Sequence, residues 1–161
     1  MKGQSLWGRA SKAILLAVAV LVVGSFAATA GAEGPGAHAA RRTLNLSGTA
    51  YLHLVRKSGN VLYERGVATG TLPGTVTARL VTSIARVTGT VTFYPRGGGS
   101  LTLSAVGYPQ SASVVTRFSG SCAVRSGTGR FRRALGSGSF NGTANRRTWA
   151  VTVHARARVT Y

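Results

Sequence analysis

Two residues that could carry out acid–base chemistry lie on either side of one predicted turn. The chain of 161 residues has 2 acidic residues, Glu33 and Glu64, and 3 histidines. His53 and Glu64 flank Ser58-Gly59-Asn60, a segment typical of a tight turn between two strands. A His–carboxylate pair can orient a general base towards a Ser or Thr hydroxyl. His53 and Glu64 are therefore the candidate catalytic residues.

The form of this turn decides whether the two side chains meet. A Ser58-Gly59 turn places His53 opposite Glu64, a three-residue Ser58-Gly59-Asn60 loop places it opposite Arg65, and a Gly59-Asn60 turn places it opposite Gly66. If His53 lies opposite Glu64, the non-catalytic interpretation is an exposed cross-strand ion pair that contributes about 0.2–1 kcal/mol to stability. No nucleophile-elbow pattern accompanies the pair. We therefore favour the ion pair over a catalytic site.

The composition excludes several classes of enzyme and metal protein. The chain has no Asp, and so lacks the paired carboxylates of ordinary glycosidases, two-metal hydrolases and calcium loops. Its single cysteine, Cys122, excludes an intramolecular disulfide and is expected to be a small buried apolar residue. The histidines have no metal-ligand spacing, and Gly127-x-Gly129 lacks the third glycine of a dinucleotide fingerprint. We expect neither a metal nor a cofactor.

Basic residues dominate the charge, with 20 Lys and Arg giving a formal net charge of +18. Arginine binds phosphate or carboxylate through two parallel hydrogen bonds, so an arginine-rich surface can hold an anionic polymer. A second interpretation, equally compatible with the spacing, is a solvated cationic surface kept soluble by self-repulsion. The predicted anion-binding residues are Arg130, Arg132, Arg133, Arg146, Arg147, Arg156 and Arg158.

The N-terminal segment has the pattern of an export signal. Basic residues precede the apolar run 13–23, and small residues follow it, so residues 1–32 are predicted to be a signal peptide cleaved after Ala30 or Ala32. The alternative is a retained membrane anchor. Residues 33–42 are expected to form a flexible leader. A secreted or envelope-associated location favours an anionic cell-envelope polymer or lipid headgroups as partner, and argues against a specific nucleic acid.

Alternation of apolar and polar residues predicts strands over most of 43–161, the single predicted domain. The last strand is the clearest, with Ala150, Thr152, His154, Arg156, Arg158 and Thr160 on one face and Trp149, Val151, Val153, Ala155, Ala157, Val159 and Tyr161 on the other. About eight such strands joined by glycine-rich turns indicate a closed antiparallel β-barrel, with a β-sandwich as the alternative. At most one helical turn is expected, at Phe131 to Leu135.

A glycine-rich motif adds a family resemblance. Gly127-Thr128-Gly129-Arg130-Phe131, followed by Ala134 and Gly136, resembles the GGTG-x-[FY]-x-x-A-x-G signature of the dirigent and allene oxide cyclase barrel superfamily. Ser126 replaces the usual first glycine. The segment 136–148 is also similar to secreted proteins of high-GC Gram-positive bacteria. The resemblance implies an eight-stranded barrel with a hydrophobic central cavity; allene oxide cyclases use a cavity Glu, for which Glu64 is the only internal candidate.

Together these features favour an exported barrel that binds rather than catalyses. Its expected ligand is a small apolar molecule inside the barrel, or an anionic envelope polymer on the arginine surface. The alternative is a cavity isomerase or cyclase that uses Glu64 and His53.

Overall fold

The computed structural model describes residues 41–161, which form eight antiparallel strands and one short 3-10 turn. The predicted signal peptide, 1–32, and the first residues of the predicted leader, 33–42, lie outside the described residues. In the part that is described, no helix is long and apolar enough to cross a membrane. The strands are β1 Thr43–Ser58, β2 Val61–Gly70, β3 Gly74–Thr82, β4 Val87–Pro95, β5 Ser100–Pro109, β6 Val115–Thr128, β7 Leu135–Asn145 and β8 Ala150–Thr160.

Each strand pairs with the next along the chain, and β8 pairs back with β1 to close the sheet. The β1–β8 ladder runs without interruption from Thr43↔Thr160 to His53↔Ala150. The predicted barrel is therefore confirmed, in preference to the sandwich. Closure gives every strand two partners, so this Val- and Thr-rich sheet has no exposed edge that could pair with another chain.

The period-two pattern assigns one face of each strand to the barrel interior. On β8, Val151 and Val153 line the interior, while His154, Arg156 and Arg158 are exposed on the outer wall. This is the division that the alternation predicts. The same holds for β1, where Leu46 and Leu52 point inward and Asn45 and Ser47 outward. The arginines and histidines of these two strands thus lie outside, where water solvates them, because burying a charge is costly.

One end of the barrel is closed by a plug of large side chains. Phe131 is completely buried and packs with Leu101, Ala134 and Val159, and its ring lies 5.1 Å from that of Tyr161. Phe131 reaches this position from a 3-10 turn at Gly129–Phe131 between β6 and β7. We call this the closed end.

The helical turn begins earlier than the predicted Phe131 to Leu135. Gly129 has a φ of +58°, a left-handed conformation that glycine adopts without steric cost, so the chain reverses directly after β6. The Arg132 N–H donates to the Gly129 carbonyl at 3.2 Å, and the Ala134 N–H donates to the Phe131 carbonyl at 2.9 Å. These two successive turns place the Phe131 side chain inside the barrel, and β7 then begins at Leu135.

The opposite end carries the loops β1–β2, β3–β4, β5–β6 and β7–β8, and residues 41–161 form no such plug there. Ile84, Ser111 and Trp149, from three of these connections, line the interior space, together with Lys57 near the end of β1. We call this the open end. The two ends therefore differ, and access to the interior is from one side.

Candidate functional site

The barrel encloses an apolar cavity of about 1050 Å³ that extends from the open end to the plug. An eight-stranded barrel is just wide enough to be filled by side chains or to hold one small ligand. Here the middle of the barrel is left hollow because its inward positions carry small residues. These residues include Gly48, Ala50, Ala68, Ala78, Ala105, Gly107, Ala144, Ala155 and Ala157.

Glu64 is the acidic group in this apolar lining. It lies on the inner face of β2, opposite Leu54 of β1 and Ala78 of β3, and is only 4% exposed. Its Oε2 atom has no hydrogen-bond partner among the described residues. Burial raises the pKa of the carboxyl group from 4.5 to about 7, because the apolar walls cannot solvate the ionised form.

The position and pKa of Glu64 give it two chemical uses. Near neutral pH both protonation states are accessible, so the group can donate a hydrogen bond as a carboxylic acid or accept one as a carboxylate. It can also take up and return a proton, since a general base works best with a pKa near the working pH. Either use requires a ligand in the cavity that carries a polar group or an acidic C–H.

The pairing of His53 with Glu64, one of the three that the turn left open, does not form, because the two side chains lie on opposite faces of the sheet. His53 pairs with Arg65 and is exposed outside the barrel, whereas Glu64 pairs with Leu54 inside it. Arg65 was one of the partners that the turn left open. The exposed ion pair that the sequence favoured does not form either, since Glu64 is buried.

A β-bulge explains this register. Next to the turn, Ser58 pairs with Val61 around Gly59 and Asn60, but the ladder shifts by one residue at Val55. The bulge turns Lys57 towards the interior, opposite Leu62, and restores the inward direction of Leu52. Bulges commonly re-aim side chains in this way at functional rims of barrels.

Cys122 is buried, as expected, and lies on the cavity wall in β6. Burial raises the pKa of its thiol, and a hydrogen bond with the backbone of Gly138 opposes this effect. The thiol is therefore mostly protonated and a weak nucleophile at neutral pH. It is a cavity-lining apolar group rather than a reactive centre.

The open end has a distinctive lining. The Lys57 Nζ atom lies 5.0 Å from the centroid of the Trp149 ring, in a cation–π contact, and both residues line the cavity entrance. Trp149 has a φ of +57°, which is unusual for a residue other than glycine. Such strain costs about 1–2 kcal/mol and often marks a functional position.

The predicted anion-binding arginines do not form one site. Arg130, Arg132 and Arg133 lie at the closed end, where the Arg130 guanidinium stacks at 4.8 Å on the Phe131 ring. Arg146 and Arg147 lie in the β7–β8 loop at the open end. The seven predicted arginines are therefore spread over the two ends and the outer wall, because consecutive loops of an up-and-down barrel alternate between its ends.

Arg156 and Arg158 form a smaller group on the outer wall. They flank a shallow groove of about 510 Å³ with Asn45, Ser47, Ser137 and Ser139 of the neighbouring strands. Arg156 is in register with Ser47 and Ser139, and Arg158 with Asn45 and Ser137, so each arginine has a residue with a hydroxyl or amide side chain on either side. This row can bind phosphate or carboxylate groups from solvent.

Residues 41–161 contain no cluster of His, Cys, Asp or Glu that could hold a metal ion. No protein-family model matches the chain, and a comparison with curated proteins finds no significant match. The assignment of function therefore rests on the geometry of the cavity and of the charged surface.

Sequence reasoning missed the environment of Glu64 and the residues of the open end. The sequence did carry a signal for the burial of Glu64. This residue alternates with Leu62, Gly66 and Ala68 on one face of β2, and the exposed Arg65 lies on the other face. An acidic residue in register with an apolar inner face predicts a buried carboxyl. No comparable signal marks Lys57, because its inward direction depends on the bulge at Val55.

Proposed function

We propose that this protein is an exported binding protein for a small, mostly apolar molecule held inside the barrel. The observation that carries the proposal is the apolar cavity of about 1050 Å³ with one buried carboxyl on its wall, whose Oε2 atom has no hydrogen-bond partner in residues 41–161. Ligand sites in proteins are typically apolar cavities of about 300–1,000 Å³ with a few polar groups that fix orientation. Glu64 is the group that orients the ligand.

The chemistry of the cavity defines the kind of ligand. Its walls are Leu, Val, Ala and Phe side chains, which favour an apolar body by removing that body from water. The ligand needs one hydroxyl, carbonyl or amine to complete the hydrogen bonds of Glu64, since an unpaired buried polar group is costly. The proposed relationship to the dirigent and allene oxide cyclase barrels agrees with this kind of cavity.

Native mass spectrometry of the protein purified from its own culture medium, without detergent, tests the proposal. We expect a discrete mass above that of the free chain, and the mass of the chain itself reports where the N-terminal segment is cleaved. Ala105→Phe, which fills the middle of the cavity, should remove the additional mass. Arg133→Gln, on the exposed surface, should retain it. An unliganded wild-type spectrum, together with no saturable binding of a neutral apolar fluorophore, would overturn the proposal.

A second candidate function is an isomerisation or cyclisation of the bound molecule. The pKa of Glu64, about 7, suits a group that removes a proton from one atom of a ligand and returns it to another without a co-reactant. His53 has no part in this version, because it lies outside the barrel. Incubation of the extracted ligand with wild-type protein and with Glu64→Gln decides the question. Conversion by the wild type alone supports catalysis, and no conversion by either supports binding.

The groove between Arg156 and Arg158 favours a surface partner as an additional candidate. An anionic envelope polymer bound there would be released by salt, with a log–log slope of about −0.7 to −0.9 for each neutralised phosphate. Arg156→Gln with Arg158→Gln should reduce that slope. A matched change of Arg132 and Arg133 at the closed end serves as the control. Equal effects of the two pairs would indicate a general cationic surface.

A further inference from the structure

We propose that the open end of the barrel docks onto an anionic lipid bilayer. The docking surface, here called the mouth rim, consists of Lys57, Ile84, Arg86, Val114, Arg146, Arg147 and Trp149. These residues combine exposed apolar groups with cations around the entrance of the cavity. The proposal of docking is argued from the mouth rim alone. A further step, in which the cavity ligand enters from the bilayer, rests on the proposed function.

Ile84 is the most exposed large apolar residue of the rim, and a fixed turn holds it there. The Ser83 N–H and hydroxyl both donate to the Arg86 carbonyl, at 2.9 and 2.8 Å, and the Arg86 N–H donates back to the Ser83 hydroxyl at 3.2 Å. Ile84 lies at the tip of this turn and is fully exposed. A turn closed by three hydrogen bonds cannot easily fold its tip onto the barrel, so Ile84 makes no burying contact with the rest of residues 41–161.

Val114 and Trp149 extend the apolar part of the rim. Val114 is half-exposed in the β5–β6 loop, and its carbonyl accepts a hydrogen bond of 2.8 Å from the Arg146 N–H in the β7–β8 loop. Trp149 is held in a left-handed conformation beside the entrance. Tryptophan combines an apolar ring with one N–H donor, and it is enriched where proteins meet the headgroup level of bilayers.

The charges of the rim match an anionic surface. Arg86, Arg146 and Arg147 are exposed, and Lys57 lies over the Trp149 ring. In residues 41–161 the one acidic side chain is Glu64, which is buried in the cavity and does not oppose them. Each cation near an anionic membrane surface strengthens binding by about fivefold.

The cations of the rim are held in position. The Asn145 Oδ1 atom accepts hydrogen bonds from the Arg147 and Thr148 N–H groups, at 2.9 and 3.2 Å, and the Trp149 N–H donates to the Asn145 carbonyl at 2.7 Å. The β7–β8 loop is therefore a compact cap that presents Arg146, Arg147 and Trp149 together. Little conformational entropy is lost when such a preorganised loop binds.

The closed end provides an internal comparison. It also carries exposed cations, including Arg96, Arg132 and Arg133, but the plug at Phe131 blocks the cavity there. A soluble anionic polymer would bind cations at either end. Both ends have exposed apolar side chains beside the cations, Leu135 at the closed end and Ile84 and Val114 at the mouth rim, and Ile84 is the most exposed of the three. A bilayer would favour the mouth rim, because these side chains can enter the headgroup and acyl boundary. The mouth rim has that combination at the entrance through which an apolar ligand must pass.

Binding of the full-length protein to lipid vesicles tests the proposal. The protein carries the substitution Trp7→Phe, so that Trp149 is the only tryptophan of the chain and its fluorescence reports on the mouth rim. The probes are vesicles of phosphatidylcholine alone and vesicles of equal amounts of phosphatidylglycerol and phosphatidylcholine. We expect tight binding only to the mixed vesicles, and quenching of Trp149 fluorescence when their acyl chains are brominated. The quenching is specific to the mouth rim and is not produced by binding through the N-terminal segment.

Two matched pairs of variants identify the surface. Replacing Arg86, Arg146 and Arg147 with Gln should weaken binding by about a hundredfold. The same change at Arg96, Arg132 and Arg133 should have little effect, since the ends lie about 20 Å apart, beyond the Debye length of about 8 Å. Ile84→Ser should weaken binding by about tenfold, whereas Leu135→Ser at the closed end should not.

Three results would overturn the proposal. The first is bound protein in which brominated lipids do not quench Trp149. The second is an equal loss of vesicle affinity in the two triple variants. The third is release of the protein from vesicles by soluble polyphosphate, together with no effect of Ile84→Ser on vesicle affinity. The last result would assign the rim to a soluble polymer. Failure of the proposed cavity function would be seen in a different measurement. Native mass spectrometry detects a ligand in the cavity, whereas vesicle binding tests the mouth rim. Bilayer binding by a protein with an empty cavity would leave the docking intact.

Discussion

The buried carboxyl of Glu64 should make the stability of the barrel depend on pH between about 4.5 and 7. Its pKa rises from 4.5 to about 7 on folding because burial disfavours the charged form. Between these values the folded protein holds a proton that the unfolded chain releases. The free energy of unfolding therefore falls as the pH rises through this window, and the contribution is constant below and above it.

The size of this effect follows from the pKa. One pKa unit corresponds to about 1.4 kcal/mol, so the rise to about 7 corresponds to about 3 kcal/mol. Glu64→Gln retains the shape of the side chain and cannot ionise. Relative to this variant, the wild type should lose about 3 kcal/mol of stability between pH 4.5 and pH 7. Other titrating groups are present in both proteins and cancel in the difference.

Urea unfolding, followed by far-UV circular dichroism at a series of pH values from 4 to 8, measures this difference. The constant offset between the two proteins is not informative, since the Gln amide must also find partners in the cavity. The slope of the difference against pH is informative. A flat difference across the window would show that the Glu64 carboxyl is hydrated or paired, and would refute the reasoning from its apolar surroundings.

Further predictions concern the plug, the turn and the cavity. Phe131→Ala should cost about 3–5 kcal/mol of stability, measured by thermal or urea unfolding, because the ring is completely buried in the plug; a loss below about 1 kcal/mol would contradict its role. Gly129→Ala should cost about 1–2 kcal/mol because φ is +58°, and Gly129→Asn should cost less. Cys122 should react slowly with a thiol reagent in the folded protein, and a cavity ligand should slow it further, since the residue lines the cavity wall. Mass spectrometry of the labelled protein follows this reaction, and equal rates with and without ligand would place the ligand elsewhere.

The strands and their faces could be predicted from the sequence because they depend on local alternation. On β8, Val151 and Val153 face the interior and Arg156 and Arg158 the solvent, as the period of two requires. The barrel followed from the number of short strands and the need to protect their edges. The glycine turn before the buried Phe131 was also recognisable, although the helical turn begins at Gly129 rather than at Phe131.

The candidate site depended on features that alternation does not encode. The bulge at Val55 placed His53 and Glu64 on opposite faces of the sheet and turned Lys57 towards the entrance. A bulge results from the fit of two strands within the closed sheet, so the residues of one strand do not specify it. The placement of the predicted anion-binding arginines at both ends and on the outer wall also depends on the fold, since loops adjacent in sequence lie at opposite ends of the barrel.

The sequence by itself determined the strand pattern, the excess of basic residues and the lack of Asp, because these depend on residue types and local periodicity. Only the tertiary structure decided that the interior is hollow, that Glu64 is buried in it with no partner for its Oε2 atom among residues 41–161, and that one end is open. The physical reason is that a cavity is a property of the closed sheet. Small residues such as Ala78 and Ala105 leave space only when strands far apart in sequence enclose the same volume.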